Sequence, residues 1–203
     1  MIPIEDVQRY LPKYLSAENY KTLLNELNNF PNNLDKRMYA KGPGENVIYQ
    51  GDGIKSFPFV DLQHIDKGTK IINGIVISNT CDIELTNIRL YTPSILYAPI
   101  CSLDNYINML ESNKVNKNKI DNQIKDIRNQ KITSIFFLPE NGTISDSIVF
   151  LDRISHIDNN YIDRNQLSEQ RLFSLSDYGF YLFLFKLSVH FSRIQEHINR
   201  GHL

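Results

Sequence analysis

The sequence predicts an α+β protein in which a run of short strands is bracketed by helices. Strand-like segments separated by turn residues occupy residues 47–154. Before them, apolar residues recur at helical spacing as far as Phe30. After them, residues 178–191 are too evenly apolar for a surface helix, which indicates a helix inside the core. A chain of 203 residues is long enough for one small barrel with a helical layer.

Charge and cysteine content exclude several classes of protein. The 22 basic and 23 acidic residues give a net charge of −1, so only a local patch can attract nucleic acid. Two cysteines are too few for a secreted disulfide framework, and the N-terminus lacks the pattern of a signal peptide. The most apolar window, residues 178–185, is far shorter than the ~20 residues of a membrane helix. The sequence therefore predicts a cytoplasmic protein with free thiols and no membrane partner.

Residues 1–44 are predicted to form a helical N-terminal extension, and residues 45–203 the main domain. Short helices are expected over residues 4–14 and 16–30, and Ser16 is well placed to cap the second. One face of the second helix is apolar and must pack against the domain or against a partner. That face comprises Tyr20, Leu23, Leu24, Leu27 and Phe30.

The strands begin on either side of a turn. Residues 47–50 and 57–62 flank Gly51-Asp52-Gly53, which predicts a bent strand or a tight pair. A second turn at residues 67–70 precedes two apolar strands, over residues 71–78 and 95–100. These two strands are the predicted centre of the domain.

Polar residues follow both central strands. The first strand stops at a run of small and polar residues, Ser78-Asn79-Thr80-Cys81-Asp82, and the second stops at Cys101. Because a buried strand that ends in polar residues delivers them to the rim of a sheet, function is expected there. If the two strands are neighbours, Cys81, Asp82 and Cys101 are expected to lie together.

A helical insertion is predicted over residues 103–131. Its first part, residues 103–110, repeats apolar residues at helical spacing. The rest is rich in lysine and asparagine, which favours a solvated surface helix over a basic arm that touches phosphates. Strands resume over residues 132–138 and 147–154, and the final core helix is expected over about residues 176–199.

The order of these elements resembles the PemK/MazF family, small barrels that form the toxin half of many bacterial toxin–antitoxin pairs. In that family a Gly-Asp opens the first strand, a later strand ends in Val-x-Ser-Asn, and the next ends in Ala-Pro. The corresponding positions here are Gly51-Asp52, Val76-Ile77-Ser78-Asn79 and Ala98-Pro99-Ile100-Cys101, and Asp146-Ser147 follows in the same order. The resemblance covers residues 47–191 and implies an SH3-like, PemK-like antiparallel β-barrel with a C-terminal helix.

The chain departs from that family at the residues that carry its chemistry. The family's nucleases use an arginine before the Val-x-Ser strand, where this chain has Ile72 or Asn73, and a Thr or Ser after the Ala-Pro, where it has Cys101. Lys70 is close to the missing arginine, although a lysine lacks the planar fork that grips a phosphate. Thr80-Cys81-Asp82 resembles instead a group of bacterial proteins known by that motif alone. The fold can thus be inherited without the activity.

Four residues are predicted as catalytic: Thr80, Cys81, Asp82 and Arg89. In metal-free RNA cleavage one group assists attack by the 2′-hydroxyl and a cation stabilises the charge on the phosphate. Asp82 and Arg89, which lies in the loop between the central strands, can divide those roles. Equally, Asp82 can cap a turn and Arg89 can be an exposed loop residue. Cys81 is a nucleophile if a base or cation lowers its pKa, and otherwise packs as a small hydrophobe.

Four more residues are predicted to contact nucleic acid: Lys70, Ser78, Asn79 and Arg153. The side chains of Ser78 and Asn79 can donate hydrogen bonds to a phosphate, or they can satisfy the backbone of the turn. No metal is predicted, because the cysteines and histidines lack the spacing of a zinc site. No cofactor is predicted either.

Two functions follow from this pattern. The first is a toxin-like or phage-defence protein that binds or cleaves RNA, as an endoribonuclease does, or that is inhibited by an antitoxin or another partner protein. The second is a non-catalytic protein-interaction module, an accessory subunit that has lost the nuclease residues. The missing arginine and the apolar N-terminal helices favour the second. A homodimer is compatible with both, and a cysteine-dependent hydrolase is a third alternative.

Overall fold

A computed structural model of the chain describes residues 21, 25, 29–31, 34–61, 66 and 68–192. The helix predicted over residues 4–14 lies outside these residues. So do most of the helix predicted over residues 16–30 and residues 193–199 of the predicted final helix.

Seven strands and five helices lie in the described part of the chain. The strands are β1 (Gly53–Val60), β2 (Thr69–Val76), β3 (Ile95–Ser102), β4 (Ile135–Leu138), β5 (Ser147–Phe150), β6 (Ser155–Ile157) and β7 (Arg171–Phe173). The helices are α1 (Thr80–Ile83), α2 (Leu103–Ser112), α3 (Lys117–Arg128), α4 (Leu167–Gln170) and α5 (Asp177–Ser192). Short 3-10 turns cover Lys36–Met38, Asn159–Tyr161 and Arg164–Gln166.

All seven strands belong to one antiparallel sheet. Its order is β4-β5-β3-β2-β1-β7, and β6 pairs with β3 next to β5. Within the described residues the two end strands, β4 and β7, do not pair with each other, so the sheet is open. The predicted α+β class with antiparallel strands is therefore confirmed, whereas closure into a small barrel is not seen.

Side chains on the two faces of the sheet enter different cores. Ile75 and Ala98 point to the face covered by α5, whereas their neighbours Val76 and Tyr97 point to the opposite face. This alternation follows from the two-residue period of a strand. The main core also contains Met38, Phe136, Leu138, Val149, Phe173 and Phe183. The second core also contains Ile48, Ile54, Phe57, Ile83, Ile95, Ile162 and Leu167.

Helix α5 is the core helix that its composition predicts. Apolar residues occur on all its sides, so a large part of its surface must be buried. Gly179 allows α5 to approach the Met38 backbone closely, because a Cβ at this position would lie 2.2 Å from the Met38 carbonyl oxygen. The buried residues of α5 are Tyr178, Gly179, Tyr181, Leu182, Phe183, Lys186 and Leu187.

The described end of the predicted N-terminal extension packs into the main core. Met38 is fully buried there, and Phe30 and Leu34 pack around it. The segment is also joined to the chain before α5, because the Ala40 N–H donates to the Ser174 carbonyl at 2.9 Å. Phe30, Leu34, Met38 and Tyr39 therefore belong to the core of the domain, while the predicted boundary at residue 44 stays a prediction.

Helices α2 and α3 form the predicted insertion and build a third core against β4 and β5. Leu103 and Ile127 are buried against Ile148. The lysines of α3, by contrast, are exposed: Lys117, Lys119 and Lys125. Helix α3 is thus a surface helix with one buried apolar stripe, as the sequence predicts.

The strand predicted over residues 47–50 is wrong. The chain turns there, because the Asp52 carboxylate accepts a hydrogen bond from the Tyr49 N–H at 3.0 Å. Gly51 follows with a positive φ of 91°, a conformation that favours glycine. Strand β1 begins only after this turn, which places the Asp52 side chain inside the protein.

Candidate functional site

Helix α1 is a single turn that carries Thr80, Cys81 and Asp82 just beyond the end of β2. Asn79 is its N-cap, because its side chain accepts a hydrogen bond from the Cys81 N–H at 2.9 Å. The Thr80 hydroxyl accepts a hydrogen bond from the Gln50 N–H at 2.9 Å. The side chains of Asn79 and Thr80 therefore accept hydrogen bonds from backbone N–H groups, which is the structural alternative to a role in binding.

Ser78 joins the two central strands. Its side-chain oxygen accepts a hydrogen bond from the Leu96 N–H at 2.8 Å and donates one to the Ser94 carbonyl at 3.2 Å. The residue is 9% exposed. Ser78 thus fixes the start of β3 against the end of β2.

Asp82 and Arg89 lie together, as expected of a shared site. Arg89 Nη2 is 2.9 Å from Asp82 Oδ1 and 3.2 Å from the Cys81 carbonyl oxygen. The side chains are 56% and 41% exposed for Asp82 and Arg89, respectively. This ion pair is therefore solvated, and both residues lie on one face, as a division of roles between them requires. Their catalytic roles stay a prediction.

An open depression of about 270 Å³ lies beside this ion pair. Two carboxylates and one guanidinium reach it, and amide side chains complete its wall. Within the described residues no histidine lines it, so Cys81 has no imidazole base there. The lining residues are Asp82, Glu84, Leu85, Asn87, Arg89, Thr92, Pro93, Asn159 and Asn160.

The base of the depression is held by two residues that the sequence analysis missed. Asn159 is 2% exposed and donates a side-chain hydrogen bond to the Ile83 carbonyl at 2.9 Å. Arg164 in turn donates to Asn159 Oδ1 at 2.6 Å. Both residues lie more than seventy positions after Ile83, and no local pattern links them to α1. They connect the end of α1 to the segment that precedes α4.

Cys101 lies at the wrong end of β3 to join this site. Because β2 and β3 are antiparallel, Val76 pairs with Tyr97 and Asn73 pairs with Ile100. The residues that follow β2 therefore meet the start of β3, and Cys101 is near its far end. The prediction that Cys81, Asp82 and Cys101 come together is wrong for this reason.

The surroundings of Cys101 are those of a core residue. Its side chain packs against the third core. Burial raises the pKa of the Cys101 thiol, and the positive charge of Arg153 offsets part of that rise.

The two cations predicted to contact nucleic acid lie elsewhere. Arg153 stacks on the Phe150 ring at 4.4 Å, and Lys70 is exposed on the outer half of β2. Neither cation lines the depression, so the predicted residues do not form one surface.

A second aspartate–arginine pair, which the sequence analysis missed, is buried beside β7. Asp52 is fully buried, and its Oδ2 lies 3.1 Å from Arg171 Nε. The Nε–H bond does not point at this oxygen, so the contact is an ion pair without a hydrogen bond. The Ser174 hydroxyl donates to the other oxygen, Oδ1. The guanidinium of Arg171 also donates to the carbonyls of Gly44 and Val47. The network ties the loop before β1 to β7.

Burial dominates the electrostatics of Asp52. It raises the pKa of this carboxyl from 3.8 to about 6, although Ser174, Arg171 and the Tyr49 N–H each pull it down. A cavity of about 320 Å³ lies on the outer side of this network and is bordered by Arg171 and Ser174. The sequence did hold one signal, because Asp52 is a charged residue between two glycines directly before an apolar strand.

A buried lysine sits at the opposite end of the sheet. Lys186 of α5 is 6% exposed, and its Nζ donates to the Gln130 carbonyl at 2.6 Å. Burial lowers the pKa of Lys186 to about 8. The Gln130 side chain donates to the Phe137 carbonyl at 2.7 Å and accepts from the Phe137 N–H at 3.1 Å. Gln130 thus bonds to the outer edge of β4 as a neighbouring strand would.

Together these features define an α+β protein with an open antiparallel sheet, an exposed aspartate–arginine site and a buried one. Neither a scan against protein-family models nor a search among curated proteins finds a match for this chain.

Among the described residues, no three His, Cys, Asp or Glu side chains are grouped so that they can hold a metal ion. No helix in the described ranges is both long and apolar enough to cross a membrane.

Proposed function

We propose that this chain is a non-catalytic protein-interaction module whose partner docks on the loop between α1 and β3. This loop, residues 84–94, is called the apolar loop below. The observation that carries the proposal is the exposure of its large apolar side chains. Contiguous apolar groups that face water are typical of interaction surfaces. The exposed fractions are 47% for Leu85, 101% for Ile88, 112% for Leu90 and 77% for Tyr91.

Hydrogen bonds hold the first half of the apolar loop in one conformation. The Asn87 side chain donates to the Cys81 carbonyl at 2.7 Å, and Arg89 bonds to the same carbonyl. Glu84 accepts hydrogen bonds from both the N–H and the hydroxyl of Thr86, at 3.1 and 3.0 Å. A loop ordered in advance loses less conformational entropy when a partner binds.

The same contacts give Asp82 and Arg89 a structural task. Their charges neutralise each other, and their contacts attach the apolar loop to α1. Since Ile88 and Leu90 flank Arg89 in the sequence, the ion pair sets the position of both apolar side chains. Because both apolar side chains are fully exposed, a partner with an apolar pocket can enclose them.

The test is a substitution of the two most exposed residues, Ile88→Ser together with Leu90→Ser. A tagged full-length chain is used to isolate a co-purifying protein, which is then identified, purified separately and titrated. The dissociation constant is expected to rise at least ~30-fold, since central apolar contacts each contribute about 1–2 kcal/mol. Met109→Ser, at another exposed apolar residue, is the matched control. Equal affinities of the double variant and the control would refute the proposal.

The second candidate function is toxin-like RNA cleavage or binding. One observation favours it: Asp82 and Arg89 lie together beside an open depression. A carboxylate and a guanidinium at this distance match the two tasks of metal-free cleavage, namely assistance to the 2′-hydroxyl and stabilisation of the phosphate charge. Cys81 and Thr80 lie on the same helical turn.

Purified chain incubated with mixed RNA, with and without magnesium, tests this candidate. If it is right, Asp82→Asn lowers the cleavage rate at least ~100-fold while the melting temperature stays unchanged. Asp126→Asn is the matched control, because Asp126 forms a comparable exposed ion pair with Lys131. Intact RNA, together with normal growth of cells that express the chain, would eliminate the nuclease.

The relation to PemK-like barrels is part of the same proposal. The positions of two motifs support it, because Gly51-Asp52 directly precedes β1 and Val76 ends β2, whereas Ala98-Pro99 lies inside β3 and not at its end. The proposal is a barrel-related fold with an open sheet. A bacterial cytoplasmic location and a toxin or defence setting belong to this proposal as well.

A further inference from the structure

Strands β1 and β2 continue as a two-stranded ribbon beyond the rest of the sheet. The ladder between β2 and β3 ends at the pair of Asn73 with Ile100. The ladder between β1 and β2 runs on to the pair of Val60 with Thr69. Among the strands of the described residues, the outer half of β2, residues 69–72, therefore has a paired strand on one side only.

The direction of its backbone groups follows from hydrogen bonds farther along β2. The Val76 N–H donates to the Asp52 carbonyl, and its carbonyl accepts from the Gly51 N–H, each at 2.8 Å, so Val76 points toward the β1 side. Since N–H and C=O directions alternate along an antiparallel strand, Ile72 and Lys70 also point to β1. Thr69 and Ile71 then point to the other side, where no strand in the described part of the chain pairs with them.

The opposite edge of the ribbon, on β1, is blocked. Pro58 lies opposite Ile71, so its backbone faces away from β2, and it has no N–H to offer there. Its carbonyl accepts a hydrogen bond from the Tyr97 hydroxyl. The Tyr161 hydroxyl donates to the nearby Ser56 carbonyl at 3.3 Å. Proline and side-chain contacts are the usual protections of a sheet edge, and residues 69–72 have no proline.

The open edge on β2 has a definite chemistry. Ile71 is 65% exposed, and Thr69 and Lys70 are exposed beside it. Lys70 carries the one charge among residues 69–72. A second copy that used both outward-pointing residues would pair Thr69 with Ile71 and place two Lys70 side chains opposite each other, which is unfavourable. The charge instead favours a strand with a carboxylate opposite Lys70.

From this geometry we infer that the outer edge of β2 binds an extended acidic segment of a partner protein as an added antiparallel strand. Backbone hydrogen bonds at Thr69 and Ile71 supply the pairing, an acidic side chain meets Lys70, and an apolar one covers Ile71. This surface is separate from the apolar loop, so the inference stands or falls independently of the proposed function.

Amide hydrogen exchange on the full chain tests the geometry and the binding together. The probe is a short synthetic peptide that alternates valine and glutamate, and its control has lysine in place of glutamate. In the free protein the Lys70 and Ile72 amides are expected to be protected, and the Thr69 and Ile71 amides to exchange rapidly. The acidic peptide is expected to slow exchange at Thr69 and Ile71. Unchanged exchange at both would overturn the inference.

Two variants separate binding from folding. Lys70→Glu is expected to reverse the preference between the two peptides, weakening the acidic one roughly fivefold. Ile71→Pro removes one outward N–H and is expected to abolish binding, while protection at Lys70 and Ile72 shows that the ribbon remains folded. Equal affinity of the original chain for both peptides contradicts the charge argument. Protection at Thr69 that rises with protein concentration alone, together with sedimentation as a dimer, would assign the edge to a second copy instead.

Discussion

Two of the aspartate–arginine pairs in the described residues, one beside the depression and one beside β7, have similar distances and opposite surroundings. Asp82 and Arg89 are 2.9 Å apart with side chains 56% and 41% exposed. Asp52 and Arg171 are 3.1 Å apart with side chains 0% and 6% exposed. Water screens the first pair, whereas the second has lost its hydration and depends on its protein partners. The pair beside the candidate site should therefore matter little for stability, and the pair hidden at β7 should matter greatly.

The largest expected effect comes from breaking the buried pair with Arg171→Ala. This change leaves the Asp52 carboxylate buried without its cation and also removes the bonds to the Gly44 and Val47 carbonyls. Loss of one member of a buried pair typically lowers the free energy of unfolding by about 3–5 kcal/mol. Urea unfolding at neutral pH measures it. A loss below about 1 kcal/mol would place this pair in the same class as the exposed one.

The next effect is the dependence of stability on pH that arises from the buried Asp52 carboxylate. Because the pKa of Asp52 is about 6 in the folded protein and 3.8 without burial, the folded state binds its proton more tightly. The free energy of unfolding then falls as pH rises from about 3 to 7, by about 3 kcal/mol through this group. Asp52→Asn should remove that part of the slope. Parallel urea titrations of both proteins across this range isolate it, and a fall in the variant as steep as in the original chain would contradict the assignment.

A smaller effect is expected from Ser174→Ala, which removes one hydrogen bond to the buried carboxylate. Such a bond to a charged group contributes about 1.5–3 kcal/mol. Since the Ser174 hydroxyl lowers the pKa of Asp52, its loss should also raise that pKa and move the decline in stability to higher pH. Ser94→Ala is the control, because Ser94 contributes only its backbone carbonyl to Ser78.

The smallest effect is expected from Arg89→Ala at the exposed pair. Screened ion pairs contribute about 0.2–1 kcal/mol, so the melting temperature should change by a few degrees at most. The apolar loop should nevertheless loosen, because Arg89 bonds to the Cys81 carbonyl. Faster amide exchange at residues 85–91 with unchanged global stability would show this. A loss of several kcal/mol would mean that the loop belongs to the folding core.

These contrasts also show which features a sequence can predict. Helices α2, α3 and α5 and strands β2 and β3 were predictable, because each depends on a pattern within one short segment. The meeting of Asp82 with Arg89 was predictable as well, because only a short loop separates them.

Features that depend on distant residues were not predictable in the same way. Cys101 was misplaced for a different reason: in the antiparallel sheet that the resemblance implies, the end of β2 meets the start of β3, so a residue at the far end of β3 cannot join Cys81. Ser174 bonds to Asp52 across 122 positions, and nothing near either residue indicates the other. The closing of a sheet into a barrel is likewise decided by how its first and last strands meet.

The position of Gln130 has a consequence for how the chain avoids aggregation while it is being made. Strand β4 is wholly apolar and buried, with the sequence Ile135-Phe136-Phe137-Leu138, and such a segment with a free edge readily pairs with another chain. The amide that covers this edge comes from a residue only seven positions before Phe137, so it has already been synthesised when β4 emerges. Because a loop this short closes quickly, the edge is covered long before α5 is available to deliver Lys186. We therefore expect Gln130→Ala to reduce the yield of soluble protein at high expression more than it reduces the stability of molecules that have folded.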